Sequence, residues 1–235
     1  MRYLRQSLLF LMALGAFTAP GAAQDRLMSV ALTGSFTTSS KTFFHPDDPD
    51  EFLRGQYFPI DNIAGIGIDI RRLFVPGTIS LGVSAEYLGR LTSLTVPVNG
   101  VVVDVQDGFR AVPIELTGYC FLPVGTSTFR LYMGGGAGVY LGERRYAYAG
   151  VPSEVTERGV TGGIHVLTGF DWNLSEIVSF RSEVRFRNVQ LSSVNEFHGT
   201  VAYVRGVAVP LPQLPLTSRI NIDGLNLTAG LAFHW

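Results

Sequence analysis

The sequence predicts an all-β fold, a membrane-spanning antiparallel up-and-down β-barrel of eight strands with long outer loops and short periplasmic turns. Three observations carry this. Segments of about 10 to 14 residues alternate apolar and polar side chains with period two, eight times over, which suits tilted membrane crossings better than ordinary globular strands. Charged residues make up only 16% of the chain, against about 25% in soluble domains, so part of the surface does not face water. No later stretch reaches the roughly 18 consecutive apolar residues from which a membrane helix is read.

The chain starts with a segment outside the fold. Arg2 and Arg5 precede a short apolar run over 7–19, and Pro20-Gly21-Ala22-Ala23-Gln24 supplies small residues for a signal peptidase. That run is too short for a spanning helix, which needs about 20 residues. A cleaved signal peptide over 1–24 is expected, with cleavage after Ala23 or Gln24, and no cysteine at this site provides a lipid anchor. Residues 25–235 then form one barrel domain.

The alternating apolar residues that mark the eight segments fall within 28–36, 64–70, 79–87, 112–120, 129–141, 160–172, 178–186 and 225–235. Their apolar faces include Val30 and Leu32, Ile66 and Ile68, Leu81 and Val83, Ile114 and Leu116, Leu131 and Met133, Ile164 and Val166, Phe180 and Val184, and Leu227 and Leu231. The opposite faces carry Asp69, Arg71, Glu86, Arg90, Glu115, Arg130, Asp171, Arg181, Glu183, Arg185 and Arg187 among glycines, serines and threonines. A soluble lipocalin-like barrel would also alternate, with its greasy side inward. Three features put that side outward instead. Connections at 73–78, 122–128 and 173–177 are short, whereas those between are long, the asymmetry of an outer-membrane barrel. Aromatic residues gather at both expected interfaces: Phe74, Phe121, Phe129, Phe170, Trp172, Phe233 and Trp235 at one, and Phe36, Phe58, Tyr87, Tyr140 and Phe186 at the other. The given sequence also stops inside its last segment, on an aromatic residue.

That last segment, with Leu227, Ala229, Leu231, Phe233 and Trp235 at alternate positions, resembles the C-terminal assembly signal of outer-membrane barrels. Val112-Pro113-Ile114-Glu115-Leu116, Tyr132-Met133-Gly134-Gly135-Gly136-Ala137-Gly138 and Gly169-Phe170-Asp171-Trp172 resemble the small eight-stranded outer-membrane barrel domain of the OmpA, OmpX and OmpW type. The resemblance covers residues 25–235. It implies a Gram-negative outer membrane, assembly by the barrel-assembly machinery, and surroundings of outer-membrane lipid and lipopolysaccharide. It implies architecture more than role, because such barrels serve many functions.

An eight-stranded bore is just wide enough to fill with side chains, and enclosed charges are costly unless paired. The eleven charged residues above are therefore expected to form one Arg–carboxylate network across the lumen, arginine suiting it because its planar fork binds carboxylates bidentately. Glycines on the fifth segment would leave room for it.

Candidate chemistry is sparse. His198 has Ser192 and Ser193 nearby but lacks a His-x-Ser arrangement, and no nucleophile–base–orienter set is legible. His45 with Asp47, Asp48 and Asp50 reads as a solvated acidic loop, a weak calcium site being the alternative. His165 and His234 point inward by parity and read as hydrogen-bonded interior residues. The glycine run at 134–138 lies inside a strand and lacks the helix and lysine of a phosphate loop. Cys120, alone, excludes an internal disulfide and a multi-cysteine metal site. No cofactor or metal is expected, and a net charge of −1 gives no argument for nucleic acid.

Loops 92–108 and 190–219 are apolar for exposed segments, and Asn99-Gly100 between β-branched residues is a strong hairpin signal. The strands are expected to extend beyond the membrane and pair there. Such a rim either packs on itself, offers a surface partner an edge and an apolar patch, or admits an apolar ligand. The leading expectation is a non-enzymatic barrel with a structural or surface-interaction role. A narrow pore or apolar-solute channel is the alternative, and an outer-membrane hydrolase is the third class.

Overall fold

The computed structural model describes residues 26–75, 77–126 and 128–235. The expected leader over 1–24 lies outside these residues. Among them, thirteen strands and one helical turn follow in order: β1 (Met28–Phe43), α1 (Glu51–Arg54), β2 (Tyr57–Val75), β3 (Ile79–Val98), β4 (Val101–Gly125), β5 (Phe129–Tyr148), β6 (Val151–Pro152), β7 (Glu154–Glu157), β8 (Gly159–Asn173), β9 (Val178–Glu196), β10 (Val201–Val204), β11 (Val207–Pro210), β12 (Leu216–Ile222) and β13 (Leu225–His234). No helix among them is long and apolar enough to cross a membrane, a statement that leaves strand crossings open.

The antiparallel pairing closes into a ring of eight wall positions, as the sequence predicts. β1, β2, β3, β4, β5, β8 and β9 fill seven; β13 and β12, one above the other, both pair with β9 and β1 and fill the eighth. The first and last wall strands are thus neighbours, in a register that runs from Ser29 opposite His234 to Thr37 opposite Asn226. Closure pairs every strand edge along the crossing, which a lipid interior demands because it offers no water to unpaired N–H and C=O groups.

Connections at the inner end join Val75 to Ile79, Gly125 to Phe129, and Asn173 to Val178. Side-chain oxygens set the last two: Thr126 Oγ1 accepts from the N–H of Phe129 at 3.0 Å, and Ser175 Oγ from that of Val178 at 3.2 Å. At the outer end the strands run far past the roughly 9 to 11 residues a crossing needs; β4 alone has 25 residues. The segment 92–108 is a strand hairpin, as Asn99-Gly100 predicts, paired from Leu91↔Gly108 to Val98↔Val101. Its tip, Asn99-Gly100, has both φ angles positive (50° and 80°), the geometry of the two-residue turn that matches strand twist. Ala149-Gly150 and Arg205-Gly206 make tips of the same kind, although neither dipeptide advertises one.

Segment 190–219 is likewise largely paired, as expected of strands that extend beyond the membrane. β9 continues to Glu196, β12 belongs to the wall, and only the β10–β11 hairpin stands apart as a second sheet. The first outer connection is the true loop. Its one helical turn begins at Asp50, whose carboxylate accepts from Phe52 N at 2.9 Å, while Asp48 accepts from Asp50 N at 2.8 Å. Two of its acids are thus occupied as turn and cap residues.

The exterior carries the greasy set. Leu32, Ile66, Val83, Leu116, Met133, Ile164, Phe186 and Leu231 are all exposed, in a band of the kind that meets hydrocarbon. Phe129, Phe170 and Phe180 form an aromatic row near the inner end, with centroids 5.1 and 6.1 Å apart. Three aromatic assignments need correction. Phe121 and Tyr140 face inward, and Phe58 packs against an interior cluster. Phe121 and Tyr140 share parity with Glu115 and Arg130, respectively. Phe58 lies beyond a break at Thr38 and Asn62, where β1–β2 pairing skips a pair and Asn62 takes φ 58°; above it the inward face passes to Ser40, Thr42 and Ile60.

Candidate functional site

Strand β9 serves as a ruler for the interior, because every second residue from Arg181 to Asn195 is buried. Read upward from the inner end, these residues are Arg181, Glu183, Arg185 and Arg187, then Val189 and Leu191, then Ser193 and Asn195. The lumen has the same three storeys.

The lowest storey is ionic. Its groups form one unbroken chain of alternating charge: Glu86, Arg187, Glu115, Arg185, Glu183, Arg71, Asp69, Arg181, Asp171 and, at the inner edge, Arg130. Arg187 Nη2 meets Glu86 at 2.5 Å and its Nε meets Glu115 at 2.7 Å. Arg185 bonds Glu115 through Nη1, and Glu183 through Nη2 at 2.7 Å. Arg71 reaches Glu183 through Nη2, and Asp69 through Nε at 2.6 Å. Arg181 completes the chain with Asp69 at 2.8 Å and Asp171 at 2.8 Å. Arg130, half-buried, stands 3.8 Å from Asp171.

Five carboxylates thus face five arginines, and the chain is neutral as a whole. Phenols supply further donors: Tyr140 to Glu115 at 2.6 Å, Tyr132 to Glu183 at 2.9 Å and Tyr119 to Asp69 at 3.2 Å; Ser35 and Asn226 donate to Glu86. Arg71 also lies over the Tyr119 ring, 3.7 Å from its centroid. Glycine clears the space: a Cβ on Gly138 would sit 2.8 Å from Glu115 Cγ, and one on Gly82 3.0 Å from Arg71 Cγ.

Arg90 is the exception among the eleven. It is exposed and joins no ion pair among the described residues. Register puts it on the luminal side, opposite the buried Phe109. However, β2 leaves β3 after Ala64↔Gly89, so from Arg90 upward that edge of β3 is open and the side chain escapes to solvent.

The middle storey was not legible as such. Ile60, Ile63, Leu88, Phe109, Ala111, Tyr140, Val189, Leu191, Ile220 and Ile222 form a buried apolar cluster directly above the ions. Its signal was available: Leu88 follows Glu86 by two residues, and Val189 follows Arg187 by two, so luminal parity simply turns apolar. The upper storey is polar again. Asp107 accepts two bonds from Arg144, at 2.8 and 2.6 Å, and both residues are buried. Asn195 donates to the Arg144 carbonyl at 3.2 Å, and the Arg144 guanidinium lies over Phe44 and Tyr146.

Two hydroxyl–imidazole contacts deserve a chemical reading. Thr117 Oγ1 is 2.8 Å from His165 Nε2, with Glu115 3.8 Å from the other ring nitrogen. Ser179 Oγ is 2.8 Å from His234 Nε2. Thr117 and Ser179 are each 0% exposed, so no substrate reaches either hydroxyl. His198 pairs with Glu154 on the rim, while Ser193 accepts from the Arg144 N–H and donates to the Glu157 carbonyl. Leu227, Ala229, Leu231, Phe233 and Trp235, which the sequence suggests as an assembly signal, all lie exposed on the outer face.

This wall and this interior define a membrane-spanning barrel of the small outer-membrane type. Among solved structures, the outer membrane protein OprG of Pseudomonas aeruginosa superposes with a TM-score of 0.55 at 14% identity, covering 88% of this chain and 95% of that one. Neisserial surface protein A gives 0.48 at 12% identity, over 88% and 97%. The outer membrane protease OmpT of Escherichia coli gives 0.44 at 9% identity, over 93% and 99%. No protein-family model matches the sequence, and no curated protein matches it. At 14% identity the likeness to OprG establishes the fold, not the role.

Proposed function

We propose that this chain is an integral outer-membrane barrel, exported with loss of its leader, that acts through its outer rim as a structural or surface-interaction protein. The filled lumen is the observation that favours this over a pore. Two voids in and below the ionic storey measure about 40 and 20 Å³, room for a few waters at about 10 to 15 Å³ each. Above them Ile60, Ile63, Leu191 and Ile220 are 0% exposed, so water does not line the bore at that height. The buried hydroxyls speak against hydrolysis, and the elongated rim strands speak for contact at the cell surface. The C-terminal strand is the part offered to the assembly machinery.

Conductance tests this reading. Purified chain in planar bilayers is expected to give no single-channel steps in potassium chloride. Steady, reproducible steps would reinstate the narrow-pore reading.

A further inference from the structure

Just above the lipid-facing band, at the outer end of the wall, the exterior changes character across three adjacent strands. Glu143 on β5 stands opposite Arg110 of β4. On its other side Gly142 pairs with Gly159 of β8, which brings Arg158 alongside. Arg110 Nη2 is 2.6 Å from Glu143, Arg158 Nε 2.9 Å, and Arg145 Nη1 3.6 Å. The carboxylate is buried beneath the arginines, whose side chains remain 42%, 72% and 55% exposed, respectively. One acid balances one base, so the cluster keeps two net positive charges. Glu143 holds the guanidiniums together, and most of their N–H donors still face outward.

Immediately below lie Tyr87, Val112, Leu141 and Val160, which with Arg110 and Arg158 line an outward-facing groove of about 370 Å³. The exposed residues on either side of this boundary fix its height. Val139 and Leu141 below Glu143 are bare apolar side chains, and Arg145 above it is charged. This is where hydrocarbon gives way to headgroups.

We propose that the cluster and groove together bind a phosphorylated glycolipid of the outer leaflet. Its phosphate would sit among Arg110, Arg145 and Arg158, whose planar forks suit phosphate oxygens, and an acyl chain would lie along the apolar groove. The assignment rests on the wall being embedded in the outer membrane, but not on the lumen being sealed, so it and the conductance test fail separately.

The test uses the folded chain in zwitterionic micelles, titrated with bisphosphorylated lipid A, with its dephosphorylated form and with inorganic phosphate, and read by native mass spectrometry. The bisphosphorylated form is expected to bind tighter than the dephosphorylated form by about tenfold or more. The double variant Arg145→Gln/Arg158→Gln keeps the Arg110–Glu143 pair, and its fold is checked by gel mobility before and after heating. It is expected to lose about tenfold or more in affinity, while Arg205→Gln, in the separate rim hairpin, changes nothing. Equal binding of the two lipid forms, or an unaltered double variant, would overturn the proposal. So would an equal loss in Arg205→Gln, or displacement of the lipid by millimolar inorganic phosphate.

Discussion

Glu115 is the residue on which the interior turns. It takes bonds from Arg185, Arg187 and Tyr140, so removing its charge leaves two buried guanidiniums to share one fewer carboxylate, with only Glu183 and Glu86 remaining to them. Glu115→Leu is expected to lower stability by about 3 to 5 kcal/mol, the usual result of deleting one partner of a buried pair, read as a fall in the urea midpoint of the barrel in lipid or detergent. Glu115→Gln, which still accepts, should cost less. Gly138 is coupled to it: with a Cβ only 2.7 Å from the Ile114 carbonyl and 2.8 Å from Glu115 Cγ, Gly138→Ala is expected to cost about 1 to 3 kcal/mol by overpacking, measured the same way. The charged members of the chain are legible in sequence because period two marks their face. Their phenol partners are harder to read, since a tyrosine such as Tyr140 fits an interface girdle as well as a lumen. Only its parity with Arg130 and Tyr132 distinguishes the two.

At the scale of elements, the inner halves of the strands were readable residue by residue, whereas of the outer halves only the extension and pairing were, and not the bounds. Inside the membrane the outward face is predominantly greasy, and charged residues fall only on the other face. Beyond it both faces turn mixed, as in Val201 to Val204 or Leu216 to Ile222, and the alternation fades although the backbone remains paired. Turn chemistry is the better guide there. Asn99-Gly100 identifies its hairpin because both residues tolerate positive φ, whereas Ala149 and Arg205 adopt it against their preference and so give no warning. Gly100 at φ 80° leads to a local prediction. Gly100→Val is expected to fray the tip of the β3–β4 hairpin, so that limited proteolysis cuts within 94–105. The membrane ring should survive, with unchanged heat-dependent gel mobility.

For the whole molecule, the count of wall positions and their closure follow from the sequence, but the layering of the lumen does not. Reading one face as uniformly charged hides the change at Leu88, Val189 and Ile220 from ions to hydrocarbon. The two layers seal by different physics. The ionic one fills space with paired charge, and the apolar one excludes water by close packing. Thinning either alone is therefore expected to leave the barrel electrically silent. Leu191→Ala with Ile220→Ala opens the upper layer, and Glu115→Ala with Arg187→Ala opens the lower one. Only the combination of all four is expected to pass current, as single-channel recordings would report.

The seam between β1 and β13 has a consequence for biogenesis. Val30 lies against Phe233, so the two edges that must meet are far apart along the chain. Until β13 reaches β1, a partly folded sheet keeps a bare flank on which another chain can pair. Closure is therefore expected to come late, and the folding rate to follow that longest-range encounter and not any hairpin along the way.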